Sequence, residues 1–358
     1  MSPYNQACLI SYVCPMRISS EGLVVSHRLS EIDFLRSLAI VIMIYANSFP
    51  YAASFEPSGL LRLLMSLAAP LFIFLSGFTG TLNHTYSKSN LLTAAALLCS
   101  ACLIDTVIWE IVPFYTFDVL YCIAASAFVN SIVRYTHLAQ LVLIVACLSL
   151  YGIMRITLPY EWEISELSLG ETDSIHFGVS ISQALVNGWF PIIPWMSFAF
   201  IGRLYGMNRD RVNALLQVYR PGLVIGLCVS VFLAYNDSQS PMRMGYIEVF
   251  YPPSAFYLLL AFLWIATLLS FSNRLSRIQP STFYLNIGKS SLLIYMLHAA
   301  INHFIIEETD PQLNSVGYGV FVASLLVFFH FVSILHQHVK KHTLYKSCPI
   351  FFRKIFGI

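Results

Sequence analysis

Three polar side chains share one face of the first long apolar segment. The segment reads RLSEIDFLRSLAIVIMIYAN from Arg28 to Asn47, with Asp33 and Arg36 one helical turn apart near its start. At about 100° per residue, eleven residues carry the helix from Arg36 back to nearly the same face at Asn47, roughly 16 Å further along. Such groups are costly in lipid and are expected to face protein or water, as at a polar site. The structural alternative is that Arg36 reaches the interface and Asn47 caps the helix.

A second polar face lies in the segment NIGKSSLLIYMLHAAINHF. Ser291, Tyr295 and His298 are spaced by four and three residues, which places them on one face of a helix. Lys289 is predicted near the inner membrane surface, His298 near mid-membrane and His303 nearer the outside. Because ionisable side chains inside a membrane are functional candidates, His298 is a candidate general base. The alternative is a histidine whose hydrogen bonds are satisfied within a helical bundle.

Other polar and sulfur-containing side chains lie in the third and fourth apolar segments. Asp105 and Glu110 belong to the third segment, and Asp118 opens the fourth. Cys99 and Cys102 form a C-x-x-C pair, but the surrounding run is rich in alanine and leucine. We interpret the two thiols as small packing residues rather than as a zinc or redox site. The sequence therefore predicts no metal cofactor.

Composition places the chain in a membrane. Of its 358 residues, 57% are hydrophobic and only 11% are charged, and the mean hydropathy is +0.70. Soluble domains carry about 25% charged residues, so we predict an all-α, polytopic integral membrane protein in contact with the lipid bilayer. Segment lengths indicate about ten transmembrane helices. The predicted spans are 34–50, 60–82, 91–112, 116–133, 138–154, 184–206, 221–235, 253–272, 283–306 and 315–336.

The charges between the apolar segments predict the topology. Basic residues concentrate in alternate loops and at the carboxyl end, whereas acidic residues concentrate in the other loops. By the positive-inside rule both termini are cytoplasmic. We therefore divide the chain into a cytoplasmic N-terminal tail at 1–27, a transmembrane domain at 28–336 and a basic cytoplasmic tail at 337–358. No basic stripe with interleaved aromatic residues occurs, so nucleic-acid binding is not indicated.

Five segments, in this order and spacing, resemble one known family. They are RLSEIDFLRSLAIVIMIYAN, APLFIFLSGFTGTL, NGWFPIIPWMSFAFIGRLYG, FYPPSAFYLLLAF and NIGKSSLLIYMLH. The chain resembles the membrane acyltransferases related to heparan-α-glucosaminide N-acetyltransferase over residues 28 to 306. That group shares a broader fold with the acyltransferase-3 family of glycan O-acylating enzymes.

The resemblance implies acetyl transfer across the membrane. Acetyl-CoA on the cytoplasmic side is the expected co-substrate, and a sugar on the other side is the expected acceptor. Arg36 and Lys289 match family motifs at helix ends, so they are expected to bind the anionic donor. Arg36 and Asn47 match the first-helix positions where the family carries a polar pair. They are therefore expected to take part in catalysis.

The identity of the catalytic base departs from the family pattern. In the heparan branch the first outer loop supplies a catalytic histidine. This chain has no histidine between Asn47 and Leu60, and Glu56 is the one candidate base there. Asn47 is an amide, which donates hydrogen bonds but is a poor base. His298 is our first choice for the base because it matches a family motif. Glu56 is the second choice because of its location, and His303 is a further alternative.

Several acceptors and one rival function fit the sequence. We favour a hydroxyl of a cell-surface glycan, such as lipopolysaccharide O-antigen, modified by a multi-pass protein of the bacterial inner membrane. The reasons are the single membrane domain and the acidic outer loop near the predicted site. An N-acetyltransferase acting on an amino sugar uses the same donor chemistry. A transporter of a glycan or small anion is the alternative from another class, and its activity would not need acetyl-CoA.

Overall fold

The apolar segments fold into helices of very different lengths. The structure, a computed structural model, describes residues 30–82, 88–133, 136–157, 167–170, 177–236, 253–277, 282–342 and 349. The predicted tail at 1–27 and most of the tail at 337–358 lie outside these residues. The helices are α1 Ser30–Ala52, α2 Gly59–Ser66, α3 Ala68–Leu82, α4 Lys88–Leu103, α5 Val119–Ile132, α6 His137–Thr157, α7 Phe177–Ser182, α8 Ile192–Met207, α9 Arg209–Val218, α10 Arg220–Tyr235, α11 Ala255–Arg277, α12 Thr282–Lys289, α13 Ser291–Ile301 and α14 Ser315–Lys341.

The all-α membrane architecture is confirmed for the described part of the chain, where no β-strand occurs. Five helical stretches are long and apolar enough to cross a membrane, and two bent pairs raise that number to seven. One bent pair joins the end of the α7 region to α8 at 55°, and the other joins α9 to α10 at 77°. Shorter apolar helices lie at 119–132, 255–271 and 291–307. The count of ten spans and the cytoplasmic termini stay predictions.

Helix α1 is buried against several other helices. Its residues Leu35, Ala39, Ile40 and Ile44 are almost completely buried, and it contacts α3, α12, α13 and α14. A Cβ placed on Gly288 of α12 would lie 2.0 Å from the carbonyl oxygen of Asp33. The two backbones can approach this closely only because Gly288 has no side chain.

Helices α3 and α8 form the most extensive helix contact of the described residues. A Cβ on Gly77 would lie 1.9 Å from the carbonyl oxygen of Ala199, and one on Gly202 would lie 2.0 Å from that of Phe74. The contact is therefore backbone to backbone, as expected where small residues drive helix association in a membrane. The crossing places the amino ends of α3 and α8 side by side.

Three described helices change to π-helical geometry near one end of the bundle. These π turns are Ile104–Ile108 after α4, Gln183–Asn187 after α7 and Asn302–Glu307 after α13. A π turn widens the helix by one residue and is frequent at functional sites. Hydrophobic periodicity does not predict such turns, because it specifies the buried face and not the hydrogen-bond register.

Two helical features differ from the predicted spans. Helix α14 continues through Lys341, five residues beyond the predicted span end at 336 and into the predicted basic tail. Helix α9 is a polar helix outside the ten predicted segments, with Arg209 at its start in an ion pair with Glu31 of α1. Hydropathy does not predict α9, because its polar sequence contains no apolar run. In the structure the ion pair and the packing on α11 stabilise it.

Candidate functional site

A cavity of about 400 Å³ opens where several helical segments end together. It lies between the carboxyl ends of α1 and α2, the π turns after α4 and α13, the amino ends of α3 and α5, and the residues just before α8. Its volume is within the range of small-molecule pockets, about 300–1,000 Å³. Aromatic lining residues include Tyr51, Phe72, Trp109, Trp189, Phe190 and Tyr295. Polar lining residues include Asn47, Asp105, Asp118, His298, Asn302, His303 and Glu307.

Asn47 and His298 meet in this cavity. The Asn47 Nδ2 and His298 Nε2 atoms lie 3.0 Å apart, although the residues are separated by 251 positions. Asn302 Nδ2 donates to the Asn47 carbonyl at 3.1 Å, and Ser48 Oγ donates to Asn302 Oδ1 at 2.9 Å. His298 is 4% exposed. This network fixes α1 against the α13 region and joins two residues that the sequence predicts for catalysis.

Asp118 links the same histidine to helix α5. The Tyr295 hydroxyl donates to the Asp118 carboxylate, and the Tyr295 ring meets the His298 ring edge-on with centroids 5.2 Å apart. The Asp118 Oδ1 atom also accepts from the Val119 amide at 2.6 Å, which caps the amino end of α5. One carboxylate therefore orients Tyr295 and starts a helix.

A second buried carboxylate lies on the π turn after α4. Asp105 is 2% exposed, and its Oδ2 atom accepts from the Tyr121 hydroxyl at 2.5 Å. Its backbone carbonyl accepts from the Ile111 amide at 2.9 Å. The Tyr121 hydroxyl therefore provides a hydrogen-bond donor to a carboxyl group that is costly to bury alone. The sequence singles out Asp105 as ionisable at membrane depth, but gives no sign of its tyrosine partner.

The loop between α4 and α5 forms one wall of the cavity. The amides of Trp189 and Phe190 donate to the carbonyls of Thr116 and Phe117 at 2.8 and 3.0 Å. Phe114 and Phe117 have positive φ angles of 72° and 49°, a region that bulky residues rarely occupy. Such strain persists where the surrounding contacts hold it and is concentrated at functional sites.

His303 and Glu307 form a pair on the π turn Asn302–Glu307. The His303 Nδ1 atom lies 2.8 Å from Glu307 Oε2, and both residues line the cavity. The Trp109 ring meets the His303 ring edge-on, with centroids 5.5 Å apart. The imidazole is therefore held between a carboxylate and an aromatic ring.

A segment that covers more than half of the chain matches a known catalytic domain. The matched residues are 28–222, and the matching family is the heparan-alpha-glucosaminide N-acetyltransferase catalytic domain. The chain belongs to this family. Membership indicates a transmembrane acetyltransferase, and acetyltransferases of the heparan-alpha-glucosaminide type use acetyl-CoA. No curated protein matches the chain.

The cavity unites the family-matched region with the rest of the chain. Asn47, Asp105 and Asp118 lie inside the match to the heparan-alpha-glucosaminide N-acetyltransferase domain, whereas His298 and His303 lie beyond it. Direct hydrogen bonds join the two parts at Asn47–His298 and Tyr295–Asp118. The relation to the acyltransferase-3 family stays a prediction.

Arg36 and Glu56 lie outside the cavity lining of this family member. Arg36 is in the first half of α1, where its Nη1 atom lies 3.4 Å from Asp33 Oδ1. The Glu56 side chain is 91% exposed and lies 3.3 Å from Arg62 Nη2. The proposed roles of Arg36 in donor binding and catalysis, and of Glu56 as a base, stay predictions.

Lys289 lies close to Arg36 through helix packing. Its neighbour Gly288 packs directly on the backbone of Asp33 and the side chain of Ser37. The Lys289 side chain is partly exposed and makes no hydrogen bond or ion pair with a described residue. The crossing of α1 and α12 thus brings the two predicted donor-binding cations to one region, at the half of α1 opposite Asn47.

The cavity has an acidic lining. Asp105, Asp118 and Glu307 contribute carboxylates, and no lysine or arginine occurs among the described lining residues. No group of three or more metal-ligating side chains occurs in the described ranges. The lining therefore offers hydrogen-bond acceptors, but no lysine or arginine among the described residues, for a bound ligand.

We expect the Tyr295–Asp118 hydrogen bond to stabilise the fold. The substitution Tyr295→Phe keeps the ring against His298 but removes a donor from the carboxylate, so the free energy of unfolding should fall by about 1–3 kcal/mol. Thermal unfolding of the purified protein measures this loss. Tyr235→Phe is the control, because Tyr235 is 60% exposed. Equal stability of the two variants would contradict the prediction.

Proposed function

We propose that the protein transfers an acetyl group from cytoplasmic acetyl-CoA to a hydroxyl of a cell-surface glycan, such as lipopolysaccharide O-antigen. The observation that carries the proposal is the hydrogen bond between Asn47 and His298 in a cavity of a membrane acetyltransferase family member. It brings an amide and an imidazole to one point of an otherwise largely apolar bundle. Acyl transfer needs a hydrogen-bond donor of fixed direction to stabilise the charge that develops on the carbonyl oxygen.

The Asn47 amide and the His298 imidazole form the reaction centre in this proposal. Attack on a thioester carbonyl builds negative charge on its oxygen, which N–H donors of fixed position stabilise. Asn47 is held by Asn302 at its carbonyl and by His298 at its side chain. Its amide therefore needs no large rearrangement to serve as such a donor.

The cavity chemistry supports a neutral sugar as acceptor. Trp109, Trp189 and Tyr51 offer apolar ring faces along the wall. The carboxylates of Asp105, Asp118 and Glu307 are acceptors for sugar hydroxyl hydrogens. A hydroxyl must lose a proton when it attacks, and the lining supplies histidines that can accept one.

The positions of Arg36 and Lys289 support a donor that approaches from the opposite half of α1. Their cationic groups are suited to the phosphates of acetyl-CoA. Arg36 precedes Asn47 by eleven residues, roughly 16 Å along the helix, so an extended donor is needed to connect the two positions. We assign these two residues to donor binding and place the thioester toward Asn47.

An amino sugar is the second candidate acceptor. Three acidic side chains line the cavity, and a carboxylate is a strong hydrogen-bond partner for an ammonium group. The matched domain is named for an N-acetyltransferase. The donor chemistry is the same in both cases. A hydroxyl acceptor gives an acetyl ester, whereas an amine acceptor gives an amide.

Labelled acetyl-CoA tests the proposal with purified protein. Acetyl label should enter a crude surface polysaccharide only when the protein is present, and mild alkali should release it as an ester. Alkali-stable label would favour the amide and hence the amino sugar. If the protein neither binds acetyl-CoA nor transfers the label, the proposed activity is wrong and a transporter becomes the better explanation.

A further inference from the structure

The histidine best arranged to receive a proton is not the one in the family motif. His298 is 4% exposed, and its Nε2 atom lies 3.0 Å from the Asn47 amide nitrogen. The nitrogen that would take up a substrate proton is therefore already in a hydrogen bond. The geometry suits His298 to hold Asn47 in position.

His303 has the opposite arrangement. Its Nδ1 atom lies 2.8 Å from Glu307 Oε2, whereas its side chain is 29% exposed and lines the cavity. A carboxylate at Nδ1 favours the tautomer with the proton on that nitrogen, and leaves the Nε2 lone pair for a substrate. No other hydrogen bond of His303 occurs among the described residues.

We propose that His303, oriented by Glu307, is the general base that removes the proton of the acceptor. This inference rests on the proposed acetyl transfer and adds a catalytic residue to it. His303 then supplies the base that the first outer loop does not contain, since Glu56 there is paired with Arg62 and lies outside the cavity lining.

The base is connected to the reaction centre through its own π turn. Asn302, the preceding residue, donates to the Asn47 carbonyl and accepts from Ser48. His303 follows His298 by five residues, which is roughly 7 Å along a helix. An acceptor bound between the two rings would therefore meet His303 on one side and Asn47 on the other.

The proton transfer balances as an ordinary acyl exchange. The acceptor O–H gives its proton to His303 Nε2 while its oxygen bonds to the acetyl carbon. The C–S bond of the thioester breaks and its electron pair leaves with sulfur. The His303 imidazolium gives the proton to the thiolate, so the products are an acetyl ester and coenzyme A thiol. Glu307 touches neither reactant and is a positioning residue.

The test uses the purified full chain and steady-state acetyl transfer. We expect His303→Ala to lower kcat by about 100-fold or more, since a general base contributes that much. Donor binding should be unchanged, and added imidazole should restore part of kcat. His338→Ala is the control, because His338 is an exposed histidine in the last turn of α14.

Glu307→Gln separates positioning from folding. We expect kcat to fall by about tenfold or more with little change in KM, because an amide keeps the shape of the Glu307 side chain but does not hold the proton on His303 Nδ1. Glu308→Gln, at the exposed neighbouring position, should keep wild-type kcat. If His303→Ala proves unstable, His303→Asn and Glu307→Gln decide the question.

Two results would overturn the inference while leaving acetyl transfer intact. One is wild-type kcat in both stable His303 variants. The other is rescue of His298→Ala, and not of His303→Ala, by imidazole. A wild-type protein that transfers no label from acetyl-CoA to polysaccharide would instead refute the proposed function itself.

Discussion

Replacing His298 with alanine is expected to lower the rate of acetyl transfer by about 100-fold or more, the usual loss when transition-state donors are disrupted. His298 is almost completely buried and its Nε2 atom holds the Asn47 side chain at 3.0 Å. Without the imidazole the Asn47 amide loses the partner that fixes its direction. Steady-state kinetics of purified protein with labelled acetyl-CoA measure the change in kcat.

The loss should affect catalysis rather than folding or donor binding. Acetyl-CoA is assigned to Arg36 and Lys289, which lie outside the cavity lining, so its dissociation constant should stay near the wild-type value in His298→Ala. The exposed His338→Ala variant again serves as a matched control. Wild-type kcat in a stable His298→Ala protein would remove Asn47 and His298 from the reaction centre.

Replacing Gly202 with alanine is expected to cause a large loss of stability. A Cβ at this position would lie 2.0 Å from the carbonyl oxygen of Phe74, so α3 and α8 must separate. Overpacking of a closely packed contact costs about 1–3 kcal/mol and occasionally more. The backbone on the other side cannot rotate away as a side chain can. Thermal unfolding and the yield of monodisperse protein measure this effect.

Gly80 of α3, the other helix of this contact, provides the control. A Cβ at Gly80 meets no atom within 4 Å, so Gly80→Ala should be neutral or slightly stabilising, since alanine favours the helix. Gly77→Ala should resemble Gly202→Ala, because its Cβ would lie 1.9 Å from the carbonyl oxygen of Ala199. Equal melting temperatures for Gly80→Ala and Gly202→Ala would contradict the close α3–α8 contact.

The sequence predicted which segments are helical better than how many cross the membrane. Each of the ten apolar segments contains helix in the structure. Hydropathy measures apolar content, but breaks such as the 55° bend before α8 divide a run into shorter helices. The helix α9 carried no apolar run, and its ion pair from Arg209 to Glu31 joins residues 178 positions apart.

The polar residues of the site were predicted individually rather than as a constellation. Periodicity places Asn47 and His298 on the polar faces of their own helices, but it does not say which two helices are neighbours. The hydrogen bond between them depends on how α1 packs against the α13 region. The tyrosine partners of Asp105 and Asp118 were missed for the same reason.

The π turns explain why the His303–Glu307 pair was not foreseen. In the sequence, a histidine and a glutamate spaced by four residues at a predicted helix end indicate only a solvated pair on the helix surface. Its place in the cavity depends on the π geometry of Asn302–Glu307 and on the loop residue Trp109. Glu56, in contrast, was favoured by its loop position, and its side chain lies 3.3 Å from Arg62.

A double-mutant cycle on Asn47 and His298 tests the reaction centre most directly. The kcat of acetyl transfer is measured for the wild type, Asn47→Ala, His298→Ala and the double variant. Residues that act as one unit are strongly non-additive. We therefore predict that the double variant is about as slow as either single variant. Effects that multiply, or wild-type activity in either single variant, would contradict a shared role in acetyl transfer.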